Sequence, residues 1–205
     1  MRAGTEVVMS AMAVSKSPEY PVRFELDYQE QVSRGLILVR WLLVIPQLLV
    51  VNVLSNLAAV LAFLAFWVIL FKSRYPESIF RLVVGATRWQ YNVCAYALFR
   101  DGPYPPFSFD AGAYPHLRYD VSRQERYNRW LPLVKWLIVV PHYVALGFLV
   151  FVGVFVWLFA VVAVVVTGRF PRGAFYYLVG VGRWGARVTA YILLQVDAYP
   201  PFSMR

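Results

Sequence analysis

Two long stretches without a charged residue dominate the pattern of apolar and polar positions along the chain. They cover residues 41–71 and 136–168, which is 31 and 33 residues. One crossing of a bilayer needs about 20 apolar residues, so each stretch is too long for one crossing and short for two. With arms that start at Gly35 and Trp130, and with Arg40 and Lys135 reaching toward the headgroups, each stretch predicts a tight hairpin of two arms of about 17 residues.

The two arms of each hairpin are predicted helices, named here helix A and helix B. Helix A carries Pro46 or Pro141, which removes a backbone donor and predicts a kink. The bends between helices A and B are expected at polar or small residues, because backbone groups lose their helical partners there. These residues are Asn52, Ser55 and Asn56 in the first stretch and Gly147 in the second.

A third helix, named helix C, is predicted over residues 77–99 and 172–194. Positions 77, 81, 88 and 92 share one stripe at about 100° per residue and carry mostly charged side chains, as do their counterparts in the second segment. Because the uncharged runs within this segment are far shorter than a span, we expect helix C to lie flat among the headgroups with its basic stripe toward water. The alternative is a spanning helix whose arginines point into a bundle.

The chain is a tandem duplication. At a constant offset of 95, residues 23–108 match residues 118–203 at 29 of 86 positions without a gap. The matches include polar and turn residues that apolar composition does not explain, such as Arg88-Trp89 with Arg183-Trp184. We therefore divide the chain into a flexible tail (1–19), a first membrane repeat (20–108) and a second membrane repeat (109–205).

The distribution of Lys and Arg predicts the topology. All 20 lie outside the two uncharged stretches, so no basic residue falls at a predicted bend. Cytoplasmic flanks collect basic residues, and we therefore expect both termini and helix C on the cytoplasmic side of the cell membrane. The predicted fold is an all-α integral membrane protein: two tandem parallel repeats, each a transmembrane helical hairpin followed by an amphipathic interfacial helix, with about four crossings.

Composition and charge agree with a membrane protein. Of the 205 residues 60% are hydrophobic and 15% charged, which excludes an ordinary water-soluble domain and wholesale disorder. The net charge of +9 favours anionic lipid as the partner over nucleic acid. The single cysteine, Cys94, excludes an intrachain disulfide.

Candidate functional residues fall into three groups. Arginines at the predicted headgroup level are candidates for binding anionic lipid, beside ordinary anchoring: Arg74, Arg81, Arg88, Arg169, Arg172, Arg183 and Arg187. Tryptophans at the predicted boundaries are candidate interfacial anchors: Trp41, Trp89, Trp136 and Trp184. Polar residues within the apolar stretches are candidates for a site at membrane depth, or for partners of a kinked backbone: Gln47, Asn52 and His142.

No pattern in the sequence favours catalysis. The two histidines, His116 and His142, lack a metal-ligand spacing, and no pair of carboxylates has the spacing of a general acid and base. We expect no cofactor and no metal.

The sequence resembles the uncharacterised prokaryotic membrane-protein family called domain of unknown function 4389. The motifs that carry the resemblance occur in both copies: Arg/Lys-Trp followed by Pro46 or Pro141, Gly-x-x-Arg-Trp, and Tyr-Pro-Pro-Phe. The resemblance implies a multi-pass membrane module without a settled activity. The first copy departs from the pattern at Gln47, where the second has His142.

From these patterns we expect a non-enzymatic membrane protein that associates with anionic lipid and assembles with itself or with a larger membrane complex. A small transporter or channel with a site at the repeat interface is the alternative, because duplicated halves are common in such proteins.

Overall fold

The structure, a computed structural model, describes residues 20–99 and 101–205. The expected flexible tail, residues 1–19, lies outside this range. Each copy begins with a short strand and continues into helices. The elements in chain order are β1 (Val22–Leu26), α1 (Leu36–Lys72), α2 (Glu77–Leu98), β2 (Leu117–Val121), α3 (Leu131–Ile138), α4 (Val140–Thr167) and α5 (Arg172–Ile192).

The predicted bends within the uncharged stretches are wrong. Helix α1 continues through Pro46 and through Asn52 for 37 residues, and α4 continues through Gly147 for 28. The polar residues need no bend, because the Asn56 side-chain amide donates to the Asn52 carbonyl one turn earlier at 2.8 Å. The break in the second copy lies instead at Val139, beside Pro141.

Each copy is nevertheless a helical hairpin. Its turn follows the long helix, at residues 73–76 in the first copy and 168–171 in the second, and does not lie within the uncharged stretch. Helix α2 folds back along α1 after residues 73–76, so that Val83 and Ala86 pack against Ala58. Helix α5 folds back in the same way along α4, where the Tyr177 hydroxyl donates to the Leu149 carbonyl. Predicted helix C therefore forms the second arm, and predicted helices A and B together form the first.

The polar segments that precede the long helices contain strands that the sequence analysis did not predict. Strand β1 pairs antiparallel with β2, and Phe24 lies opposite its own counterpart Tyr119. Reciprocal backbone hydrogen bonds flank this pair at either end, from Val32 to Gly168 and from Tyr127 to Ser73. The two copies are therefore related by an approximate two-fold axis through the centre of the β1–β2 ribbon.

The copies run antiparallel, which corrects the predicted parallel arrangement. At the start of α2 the Tyr75 hydroxyl donates to the Leu193 carbonyl, just past the end of α5. At the end of α2 the Phe99 ring lies 6.1 Å from the Phe170 ring, just before α5 begins. The physical reason is the antiparallel ribbon, which turns the second hairpin by half a revolution relative to the first.

The elements stack in three layers. The side chains of α2 that meet the ribbon, such as Arg88 and Tyr91, lie on the opposite side of the helix from Val83 and Val93, which meet α1. The outer layer on one side is the ribbon, the middle layer is α2 with α5, and the outer layer on the other side is α1 with α4. Each strand packs on the helix of the other copy, β1 on α5 and β2 on α2.

Two helical stretches, Leu36–Lys72 and Leu131–Thr167, are long and apolar enough to cross a membrane, in place of the four predicted crossings. Only 22% and 17% of their most apolar windows are buried within the protein, unlike the core helix of a soluble domain. Large apolar side chains cover their outer faces, for example Leu42, Leu49, Phe63, Phe71, Phe148, Phe155, Phe159 and Val166.

Candidate functional site

Four of the seven candidate arginines are exposed to solvent. Arg74 and Arg81 lie at the turn and on the first helical turns of α2, and Arg169 and Arg172 lie at the equivalent end of the second copy. Arg169 and Arg172 have side-chain exposures of 69% and 71% and lie 3.9 and 3.4 Å from the Glu30 carboxylate. Because ion pairs at such exposure are weak, these guanidinium groups remain free to meet an anionic headgroup.

The other three candidates hold the protein together. Arg88 donates to the carbonyls of Tyr119 and Phe109 at 2.9 and 2.8 Å, and only 8% of the residue is exposed. Its counterpart Arg183 donates to the Phe24 carbonyl across the two copies at 3.1 Å. Arg187, also 8% exposed, donates to the carbonyls of Ser203 and Arg205. Backbone carbonyls therefore already use donors of all three guanidinium groups.

The outward face of the ribbon carries charges of both signs. Arg23 and Arg118 flank the Glu25 carboxylate at 3.0 and 3.4 Å, and Asp120 lies 3.2 Å from Arg88. The hydrogen bond from Arg23 lowers the pKa of Glu25, so this carboxylate stays ionised at neutral pH. The ribbon is thus a charged surface over the midpoints of α2 and α5.

Two of the three polar residues within the apolar stretches, Gln47 and His142, are partners of buried tryptophans. The Trp89 indole donates to the Gln47 carbonyl oxygen at 2.8 Å, and Gln47 donates to the Pro105 carbonyl. In the second copy the Trp184 indole donates to His142 Nδ1 at 3.0 Å, and the imidazole stacks on Phe202. Both side chains therefore have structural partners, but these are indoles and the Pro105 carbonyl, not the kinked backbone that the sequence predicted.

The tryptophan anchors divide in the same way. Trp89 and Trp184 are buried, so their prediction as interfacial anchors is wrong. Trp41 and Trp136 are 45% and 66% exposed and keep the position of an anchor. Asn52 is exposed on α1. All four tryptophans lie at predicted membrane boundaries, and this position along the chain does not distinguish a buried helix face from an exposed one.

A pair of buried cations was not recognised from the sequence. Arg40 is fully buried and forms an ion pair with Asp101. Lys135, its counterpart in the second copy, lies 2.9 Å from Asp197 and donates to the Val196 carbonyl. The predicted reach of Arg40 and Lys135 toward the headgroups is therefore wrong. The signal was a cation at both equivalent positions, with an acid just past the end of each helix C.

The carboxylates Asp101 and Asp197 also hold the segments that lead into α1 and α3. Asp101 accepts a hydrogen bond from the Ser33 backbone N–H, and Asp197 accepts one from the Asn128 backbone N–H. Each acid therefore joins the end of one helical arm to the entry of the other. These ion pairs are structural contacts within each copy.

Comparison with known proteins gives one family. The model of the family described as Domain of unknown function (DUF4389) matches twice, at residues 34–108 and 130–204. The two matches confirm the tandem duplication, and together they cover most of the chain. No curated protein and no solved structure matches the chain.

Proposed function

Because the chain belongs to the DUF4389 family in two tandem copies, we propose that it is a non-enzymatic membrane protein that lies along the cytoplasmic surface of the cell membrane and gathers anionic lipid. The single observation that carries the proposal is the order of the three layers. A charged ribbon covers one side of α2 and α5, and two apolar helices cover the other.

The position of the ribbon argues against helices that stand upright in the bilayer. Arg88 and Arg183 reach the ribbon from the middles of α2 and α5. In an upright orientation, Arg23, Glu25, Arg118 and Asp120 would lie near mid-depth, where each charge costs about 2.5–3.5 kcal/mol by insertion scales. With the two-fold axis along the membrane normal, the same charges face water.

The lengths of the long helices support the same orientation. Helix α1 has 37 residues, which is about 55 Å at 1.5 Å per residue, and its apolar surface extends from Leu38 to Phe71. The hydrocarbon core is about 30 Å thick, so an upright helix would expose apolar turns to water. A helix lying along the membrane with its apolar face in one leaflet avoids this cost.

The exposed arginines supply the attraction to anionic lipid. These residues lie near the N-terminal ends of α2 and α5: Arg74, Arg81, Arg169 and Arg172. Because the two helices run antiparallel, these are opposite ends of the middle layer, where it meets the membrane surface in this orientation. Each cation at the surface contributes about 1 kcal/mol of attraction. Flotation with vesicles that contain phosphatidylglycerol should weaken when these four arginines become Gln, whereas binding to neutral vesicles should change little.

The orientation is tested with one matched pair of cysteines. Glu30 and Glu125 are equivalent residues that lie at opposite ends of the helical layers, beside Arg169 and Arg74. In a Cys94→Ser background we expect Glu30→Cys and Glu125→Cys to react with an impermeant maleimide from the cytoplasmic side only. Reaction from opposite sides of the membrane would contradict the proposal.

A second candidate function rests on the two-fold relation itself. Antiparallel copies about an axis in the membrane plane are the arrangement of many transporters. Labelling of Glu30→Cys and Glu125→Cys from opposite sides would favour this candidate. The buried, hydrogen-bonded Gln47 and His142 do not line an open path, which is why we place it second.

A further inference from the structure

An apolar groove separates the two copies on one side of the molecule. It has a volume of about 470 Å³, within the range of small-molecule sites, and its lining is almost entirely apolar. Its walls include Trp41 on α1, Cys94 on α2 and Trp157 on α4. Val150 and Val154 of α4 line the groove and are half exposed, so it opens to the outside along α4.

Within residues 20–99 and 101–205 the groove lies on one side of the molecule, because the two copies differ at the residues that form it. Gly153 and Gly182 line the groove, where the first copy has Ala58 and Thr87. At the equivalent surface Leu193 packs against the cluster of Ala58, Val83 and Ala86. The chain therefore contains both the groove and a closed counterpart that serves as a control.

A polar cavity lies beyond one end of the groove. Phe99 lines the groove, and Asp101, two residues later, lines the polar cavity together with Arg34 and Arg169. Arg34 lies just before α1 begins at Leu36, and Trp41 lies on the first turns of that helix. Gly168 ends α4 and lines the cavity, and the Phe170 ring, next to Arg169, lies 6.1 Å from the Phe99 ring of the groove wall, so the groove and the cavity are neighbours.

The charge at this end is positive. Arg34, Arg40, Arg169 and Arg172 face two carboxylates, Asp101 and Glu30, which leaves two positive charges among the described residues. At the equivalent end of the molecule Arg129 donates to the Ser73 hydroxyl. Gly168 replaces that serine here and lies against the Arg34 guanidinium, which therefore lacks the hydroxyl acceptor that Arg129 has.

We propose that the groove holds one acyl chain of an anionic phospholipid whose phosphate is bound by Arg34 and Arg169. This inference rests on the proposed membrane association, since the groove opens toward hydrocarbon in that orientation. An apolar slot that leads to paired guanidinium groups matches a lipid tail joined to a phosphate. This site would bind one anionic lipid per chain, in addition to the general affinity of the protein surface for anionic lipid.

Native mass spectrometry of the full chain in mild detergent tests the site. We expect one phosphatidylglycerol to be retained per chain, in preference to phosphatidylcholine with the same tails. Arg34→Gln with Arg169→Gln should lower this preference about 30-fold, because each of the two cations contributes about 1 kcal/mol of attraction. An unchanged preference would overturn the headgroup assignment.

Two variants test the groove itself. Val154→Trp fills the groove and should abolish retention of either lipid, whereas Ala59→Trp, its counterpart on the closed surface, should retain lipid like the parent chain. Equal loss in both variants, or loss in neither, would place the lipid elsewhere and contradict the proposal.

Cys94 gives a readout that needs no variant. Cys94 is exposed to the groove, where the surrounding apolar side chains desolvate its thiol and raise its pKa, so alkylation is slow at neutral pH and sensitive to what covers the sulfur. Added phosphatidylglycerol should slow it further by several-fold, and no slowing would count against occupancy of the groove. If Val154→Trp still floats with vesicles but loses lipid, the groove is confirmed separately from membrane binding; if the parent chain floats but retains no lipid, only the groove inference fails.

Discussion

Two arginines on one stripe of α2 have different physical roles. Arg81 is exposed near Glu77, whereas Arg88, two turns later, is buried and donates to two carbonyls. Charge-assisted hydrogen bonds to buried carbonyls contribute more to stability than an exposed ion pair. The stripe therefore combines one residue available to lipid with one that fixes the ribbon on α2.

The two residues give a matched prediction. Arg88→Gln should lower the free energy of unfolding by about 1.5–3 kcal/mol, because the Tyr119 and Phe109 carbonyls lose charged donors. Arg81→Gln should change it by no more than about 0.5 kcal/mol and should instead weaken flotation with anionic vesicles. Denaturant unfolding in detergent measures the first effect, and equal destabilisation by both variants would contradict the assignment.

At the scale of the elements, Gly85 on α2 and Gly180 on α5 each allow the close approach of the segment just after the next Tyr-Pro-Pro-Phe motif along the chain, around Phe109 and Met204. A methyl group added at Gly85 would lie 2.8 Å from the Phe109 side chain, and one added at Gly180 would lie 2.9 Å from Met204. Both glycines stand three residues before the arginine of the Gly-x-x-Arg-Trp motif. On α2 the glycine of the motif thus allows the segment around Phe109 to pack closely, the arginine donates to the ribbon, and the indole is buried against α1.

Substitution of these glycines should separate close approach from helix propensity. Gly85→Ala should destabilise the protein by about 1–3 kcal/mol, because the segment around Phe109 must move away from α2. Gly185→Ala has open space around the new methyl group and should stabilise α5 by up to about 1 kcal/mol. Thermal unfolding compares the two; a stabilising Gly85→Ala would show that the terminal segment does not pack there.

At the scale of the whole molecule, the two copies are interlocked. Each strand packs on the helix of the other copy, and the reciprocal hydrogen bonds at Gly168 and Ser73 fasten both ends. The aromatic contacts of Tyr91 with Tyr119 and of Phe99 with Phe175 also cross between the copies. One copy alone would expose the surfaces that these contacts bury.

The interlocking predicts the behaviour of a divided chain. Segments 1–108 and 109–205 produced together should copurify as a one-to-one complex, whereas either segment produced alone should aggregate in detergent, because its half of the ribbon contact stays unburied. Size-exclusion chromatography distinguishes these states. Monodisperse, folded single segments would show that the copies are independent modules.

The sequence by itself determined the duplication, the lengths of the apolar stretches and the extent of helix C. Helix C was predicted at 77–99 and 172–194 and is observed at Glu77–Leu98 and Arg172–Ile192. The family membership also followed from local motifs. Each of these is local information, because the hydrogen bonds of a helix and the residues of a motif lie close together in the chain. The strands were predictable in the same way, since Val22–Leu26 and Leu117–Val121 alternate apolar and charged residues.

Only the tertiary structure decided how the copies face one another and which polar groups are buried. The same Arg-Trp pair on α2 divides its contacts between Tyr119 of the ribbon and Gln47 of the long helix, and neither partner is near in sequence. A local pattern identifies the side chains that need a partner, but the energy of burying a charge depends on donors and acceptors that distant segments bring to it. For that reason two arginines of one stripe differ: Arg88, in the middle of α2, donates to buried carbonyls, whereas Arg81, near the start of the same helix, is exposed.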